Sequence, residues 1–172
     1  MPIGKFKEQS LRKKLQKRLN ALPDSRTPNS KKIHSVAILT NNDISVNIDI
    51  TNEVKNHFED VRNIHIYSYR KYKKANPITY KHFSDRDFYW SGKIKDPSLE
   101  SFLDNPFDLL IGYFNKNHLY LEFASLKSKA DFKIGFSSVN DKIFDLVINN
   151  DLDKSEDFIN VAKKYLKILN KI

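Results

Sequence analysis

The chain has 172 residues, of which 40% are hydrophobic and 12% aromatic, and these values predict one folded domain with a sizeable core plus an appendage. It contains no cysteine and only four glycines, which excludes disulfide scaffolds and cysteine nucleophiles and argues against glycine-rich phosphate loops. No apolar segment approaches the roughly 18 residues that cross a bilayer, and no secretory signal is apparent, so we expect a soluble cytoplasmic protein.

The formal net charge of +9 is concentrated in two parts of the chain. Residues 1–32, the first basic block, carry ten Lys and Arg against two acidic residues, and residues 62–95, the second basic block, carry nine against two. Localised positive charge is what a polyanion-binding surface requires. The candidate nucleic-acid-binding residues in these blocks are Arg12, Lys13, Lys17, Arg18, Arg70, Lys71, Lys73 and Lys74.

Residues 4–22 are predicted to form a basic amphipathic helix, because leucines recur at helical spacing between lysines and arginines. Its apolar face consists of Leu11, Leu15, Leu19 and Leu22, with Phe6 near the same stripe. A polar linker follows at 23–30. Residues 1–32 are therefore predicted to be a basic helix with its linker, and residues 33–172 a single α/β domain. Three roles for the helix remain open: docking on the domain, binding RNA or a protein partner, and lying on a membrane surface. The narrow apolar face, which lacks tryptophan, disfavours the membrane role.

The rest of the chain alternates between predicted strands and helices. Strands are predicted at residues 33–40, 64–69, 107–114, 131–136 and 144–148, and helices at 48–60, 97–103, 117–130 and 155–170. The pattern predicts a three-layer α/β sandwich with a mostly parallel sheet of about five strands, flavodoxin-like or Rossmann-like, preceded by the basic helix. Residues 107–114, an almost continuous apolar run, are predicted to be its central strand. The link before 144–148 is short, so that strand is predicted to be antiparallel at an edge.

Five residues are candidates for a ligand site: Asn41, Asp43, Asp85, Asp87 and Trp90. Asn41 and Asp43 follow the first predicted strand and could bind phosphate or metal, although a turn favours the same residues. Asp85 and Asp87 could form an acid/base pair or metal site, although capping of a loop is favoured. Trp90, the only tryptophan, could stack on single-stranded RNA, although packing at the end of the sheet is favoured.

Motifs of catalysis and cofactor binding are absent from the sequence. The five histidines are scattered without the i, i+3 or i, i+4 spacing of zinc ligands, and no G-x-S-x-G, G-x-G-x-x-G or P-loop motif occurs. We therefore predict no catalytic residue, no metal and no cofactor.

Four segments carry a resemblance to a known family: 83–94 (FSDRDFYWSGKI), 106–111 (PFDLLI), 129–136 (KADFKIGF) and 164–170 (KYLKILN). In these segments the chain resembles a family of small proteins from Bacteroidetes, flavobacteria especially, that has no assigned function. The basic N-terminal helix resembles the start of that family. The resemblance implies a bacterial, cytoplasmic, non-secreted protein and implies no catalytic residues.

The leading hypothesis for function is a non-catalytic binding protein whose basic blocks contact RNA or a ribonucleoprotein. One alternative is a small-molecule or nucleotide-binding enzyme that acts at the carboxyl ends of the strands, for which a deep pocket there would be the sign. Another is an interaction scaffold that docks a protein partner through the leucines of the N-terminal helix.

Overall fold

The structure is a computed structural model that describes residues 3–23, 31–77 and 81–172. Most of the predicted linker, residues 24–30, lies outside the described residues. Within the described ranges, no helix is long and apolar enough to span a membrane.

The described residues form a six-stranded, fully parallel sheet. Its strands are β1 (Ser35–Asn41), β2 (Asn63–Tyr69), β3 (His82–Phe83), β4 (Leu109–Tyr113), β5 (Phe132–Phe136) and β6 (Leu146–Ile148). Their order is β3-β2-β1-β4-β5-β6, which is the Rossmann order of a doubly wound α/β fold. The predicted α/β class and parallel sheet are confirmed. The sheet has one strand more than predicted because β3, with two residues, is too short to show a period.

In the part of the chain that the structure describes, six α-helices accompany the sheet: α1 (Ile3–Asn20), α2 (Asn42–Asn47), α3 (Ile50–His57), α4 (Pro97–Asp104), α5 (Leu119–Lys127) and α6 (Ser155–Ile168). The chain moves from β1 to β2 in one direction and from β4 to β5 in the other, so right-handed crossovers place α3 and α5 on opposite faces of the sheet. α6 packs against α3, and both α1 and α4 pack against α5. The helix predicted at 48–60 corresponds to α3, and α2 precedes it at residues where the sequence favours a turn.

The antiparallel orientation predicted for the last strand is wrong, because β6 pairs with β5 in parallel, with Ile134 opposite Leu146. The short crossover between them contains only a 3-10 turn at Asp141–Ile143. It fits because Gly135 leaves the surface of the sheet open: a Cβ there would lie 2.5 Å from the ring of Phe144. The crossover therefore packs directly on the sheet and needs no full helix.

Helix α1 docks on the domain through its leucines. Leu11, Leu15 and Leu19 are at most 7% exposed and belong to the same hydrophobic core as the sheet. The guanidinium of Arg18 lies 5.0 Å from the ring centroid of Phe123 on α5, which adds a cation–π contact. The basic residues of α1 are thus held in a defined position on the α5 side of the sheet.

Candidate functional site: the surface where the basic blocks meet

The two basic blocks, far apart in sequence, contact each other at Asp85. Lys7 on α1 donates a hydrogen bond to the main-chain oxygen of Asp85, and the Tyr72 N–H donates to the Asp85 carboxylate at 3.1 Å. Further along α1, the Ser10 hydroxyl donates to the Trp90 carbonyl at 3.1 Å. α1 and the described residues of the second block, 70–77 and 81–95, therefore form one continuous surface, which we call the joined basic surface.

A cleft of about 430 Å³, the basic cleft, lies in the second block beyond β2 and β3. Arg70, Arg86 and Lys95 contribute positive charge to its lining. Arg86 also stacks on Tyr72, with its guanidinium carbon 3.5 Å from the ring centroid. This contact orients the Arg86 side chain and leaves its N–H donors available at the edge of the plane for an anion.

The carboxylates around this cleft are engaged by their own loops. Asp87 accepts hydrogen bonds from the Ser84 N–H at 2.7 Å and the Ser84 hydroxyl at 3.0 Å, as part of a capping box. Asp96 caps α4 by accepting from main-chain N–H groups in its first turn. Asp85 and Asp87 therefore position the backbone, and the described ranges contain no group of three or more acidic or histidine side chains that could hold a metal ion.

Positive charge accumulates around the basic cleft. Burial lowers the pKa of Lys7, the carboxylates of Asp85 and Asp87 oppose this, and the nearby Lys95 and Arg86 lower it further in smaller measure. Burial also lowers the pKa of His82, helped by Arg70. His82 is therefore neutral at pH 7, and a bound anion would relieve the repulsion among the remaining cations.

Four large aromatic side chains on or beside this surface are exposed: Phe6 (61%), Tyr72 (40%), Tyr89 (48%) and Trp90 (60%). The interpretation of Trp90 as a residue packed at the end of the sheet is wrong. Phe88 takes the interior position, where it is 2% exposed, and the tight turn that follows carries Trp90 outwards. Gly92 permits this turn with its φ of 80°.

The predicted nucleic-acid-binding residues are distributed over the joined basic surface in two groups. On α1, Arg12, Lys13, Lys17 and Arg18 are exposed, and in the loop after β2, Lys71, Lys73 and Lys74 are exposed, while Arg70 lines the basic cleft. Sequence reasoning missed Lys7 and Lys95 as members of this surface. The contact of Lys7 with Asp85 depends on where α1 docks, and the place of Lys95 in the basic cleft depends on which segments fold beside it, so neither has a local sequence signal.

The residues predicted to form one ligand site are divided by the structure. Asn41 and Asp43 line a second cleft, of about 580 Å³, between the β1–α2 junction and the segment after β4. We call it the switch-point cleft. Asp87 lines the basic cleft, and Asp85 and Trp90 line neither of the two. The side-chain oxygen of Asn41 accepts a hydrogen bond from the Ile44 N–H at 2.9 Å and so caps α2.

No curated protein and no solved structure matches the chain. A family model described as a family of unknown function, DUF6913, matches residues 7–169, which span most of α1 and the whole sheet. The expectation of membership in a family without assigned function is thus confirmed, and the chain belongs to the DUF6913 family.

Proposed function

We propose that this protein is a non-catalytic binding protein that holds single-stranded RNA, free or within a ribonucleoprotein, on the joined basic surface. The observation that carries the proposal is the contact between the two basic blocks, made by Lys7 with the Asp85 carbonyl and by the Ser10 hydroxyl with the Trp90 carbonyl at 3.1 Å. Folding thereby gathers the positive charge of two distant segments on one surface. Such a surface attracts the phosphates of a polyanion.

The balance of charge on this surface favours anion binding. The described lining of the basic cleft has three cationic side chains against two carboxylates, those of Asp87 and Asp96, which cap helical turns. Lys13 and Lys17 add exposed positive charge on α1, one helical turn apart. Lys13 follows Ser10 by three residues, so it lies one turn from the contact with Trp90. A strand passing Trp90 would therefore meet lysines on the neighbouring turns of α1.

The exposed aromatic side chains favour a single strand over a duplex. Unpaired bases stack on exposed rings, whereas bases in a duplex are already stacked on one another. Trp90 and Tyr89 are adjacent and both exposed, and Tyr72 lies at the basic cleft. The arrangement of rings beside cations is typical of surfaces that bind single strands without strong sequence preference.

The scaffold hypothesis receives less support, because the leucines that it needs are in the core. Leu11 is 0% exposed, Leu15 7% and Leu19 2%. A partner could reach them only if α1 left the domain, which would expose apolar surface.

The decisive experiment compares filter retention of labelled oligouridine by the wild type and by charge-reversal variants across a salt series. In the pair Lys13→Glu and Lys17→Glu we expect most of the binding to be lost. Each phosphate that a lysine or arginine neutralises on a single strand contributes about 0.7 to the slope of log affinity against log salt concentration. Loss of these contacts in the variant should therefore make the slope shallower. Extending the set to Arg12 and Arg18 should abolish retention.

The matched control is the pair Lys164→Glu and Lys167→Glu, which makes the same charge change on exposed positions of α6. Circular dichroism establishes that all variants are folded. Unchanged retention by the α1 pair, or an equal loss in the α6 pair, would refute a role for the joined basic surface.

For location, we propose the cytoplasm of a Bacteroidetes bacterium, which is what the resemblance implies. Fractionation of such cells with an antibody to the protein tests this, and recovery from the periplasm or medium would contradict it. Purification of the tagged protein at low and high salt, with RNA identified at each step, would name the bound RNA.

A further inference from the structure

The switch-point cleft lies where doubly wound folds bind their ligands. β1 and β4 are adjacent in the sheet, and the connections after them leave in opposite directions, so a crevice opens between the two carboxyl ends. The cleft of about 580 Å³ occupies this crevice, and its size falls within the roughly 300–1,000 Å³ of small-molecule sites. It is separate from the basic cleft, with which it shares no lining residue.

The β1–α2 junction lacks the features that hold a pyrophosphate. Dinucleotide sites use a glycine-rich turn whose bare backbone N–H groups approach the phosphates. Here Asn41 is at once the last residue of β1 and the N-cap of α2, and its side chain occupies the Ile44 N–H at 2.9 Å. Residues 41–44 contain no glycine, so the junction lacks the side-chain-free backbone that phosphates approach closely in dinucleotide sites.

The charges on the lining of the switch-point cleft also argue against a phosphate-bearing ligand. Among the described lining residues, Asp43 is the single acidic side chain and Lys116 the single Lys or Arg. Burial lowers the pKa of His118, and the nearby Arg12 lowers it further, so the imidazole adds no charge at pH 7. The cleft is therefore neutral overall and does not attract a polyphosphate.

The remaining lining combines carboxamides with an apolar floor. Asn41, Asn47, Asn115 and Asn117 supply amide groups, and Ile44, Ile48, Phe114, Leu121 and Leu152 supply apolar surface. A carboxamide both donates and accepts, which is the pairing that the edge of a nucleobase requires. The Asn41 side-chain oxygen already caps α2, and the Asn47 amide already donates to the Asp43 carbonyl at 2.7 Å, so the pairing falls to Asn115 and Asn117. A carboxylate such as that of Asp43 accepts from the hydroxyl groups of a ribose.

We infer that the switch-point cleft binds an uncharged nucleoside, with its base over the apolar floor, its edge against the asparagines and its ribose at Asp43. The site does not depend on the joined basic surface, so the inference stands apart from RNA binding. The ligand carries no phosphate, because the junction after β1 has no glycine-rich turn with main-chain N–H groups to bind one.

The test is isothermal titration calorimetry with adenosine, guanosine, cytidine and uridine and with their four 5′-monophosphates, at high salt. We expect at least one nucleoside to bind and its monophosphate to bind at least about tenfold more weakly. Asp43→Asn should weaken the same nucleoside about tenfold or more. The matched control, Asp60→Asn, changes an exposed carboxylate in the turn before β2, at the opposite edge of the sheet, and should leave the affinity unchanged.

Nitrogen-15 NMR spectra of the wild type supply a measurement that needs no variant. Ligand-dependent shifts should centre on residues 41–48 and 114–118. Three results would overturn the inference: no binding of any nucleoside at millimolar concentration, a monophosphate that binds as tightly as its nucleoside, or shifts confined to other segments. Retained affinity in Asp43→Asn would overturn the role of that carboxylate in holding the ribose.

Discussion

Replacing Trp90 by alanine separates a binding role from a packing role. The side chain is 60% exposed, and the contact that α1 makes here uses the Trp90 carbonyl, which alanine retains. An exposed substitution of this kind changes the free energy of unfolding by no more than about 0.5 kcal/mol. A tryptophan packed in the core would cost about 3–5 kcal/mol on truncation to alanine.

For RNA binding the expected effect is larger than for stability. Stacking of one base on an aromatic ring is worth about 1–3 kcal/mol, which corresponds to a rise in Kd of roughly 5- to 150-fold. Fluorescence anisotropy of labelled oligouridine measures this change directly. Because Trp90 is the only tryptophan, quenching of intrinsic fluorescence in the wild type reports independently on base stacking at this residue.

The control is Tyr165→Ala, an aromatic residue on α6 that is 45% exposed and lies outside both basic blocks. We expect it to leave the Kd unchanged. Three results would refute the reasoning: an unchanged Kd in Trp90→Ala, no quenching in the wild type on saturation with RNA, or a loss of unfolding free energy of core size.

Two further predictions concern stability. Burial tends to raise the pKa of Asp108, but Lys31 at 2.6 Å and the Ser35 N–H at 2.9 Å outweigh it and hold the pKa at about 2. The depressed pKa corresponds to about 2.5 kcal/mol of folding free energy, which is present above about pH 4 and is lost as the pH falls towards about 2. In urea melts, Asp108→Asn should lower the free energy of unfolding by about this much at pH 7. At acid pH the variant and the wild type should become equally stable. Leu11→Ala should cost about 2–5 kcal/mol in the same assay, whereas the exposed Gln9→Ala should cost less than about 0.5, and equal midpoints would contradict the docking of α1.

Regular apolar patterns made most of the fold predictable. Residues 107–114 form an apolar run, and β4 (Leu109–Tyr113) lies within it as a central strand that is buried throughout. The helix predicted at 117–130 corresponds to α5, which lies in the crossover from β4 to β5 that a parallel pair needs. The orientation of β6 was not predictable, because the room for Phe144 over Gly135 exists only once β4 and β5 are paired.

The candidate site was predictable only in its parts. The sequence shows which residues are basic and which aromatic, but the exposure of Trp90 depends on Phe88 taking the interior position in a turn. Asn41 and Asp43 were recognisable at the end of β1. The cleft that they line also needs the segment after β4, more than seventy residues away along the chain.

The sequence by itself determined the α/β class, the amphipathic helix and the two basic blocks, because periodicity and charge are local properties of a chain. Only the tertiary structure decided that the blocks meet. The hydrogen bond from Lys7 to Asp85 joins residues 78 positions apart, and the one from Ser10 to Trp90 joins residues 80 apart. Contacts at that separation follow from burial of the leucines of α1 against α5, and this packing is what brings the positive charge of both segments onto one surface.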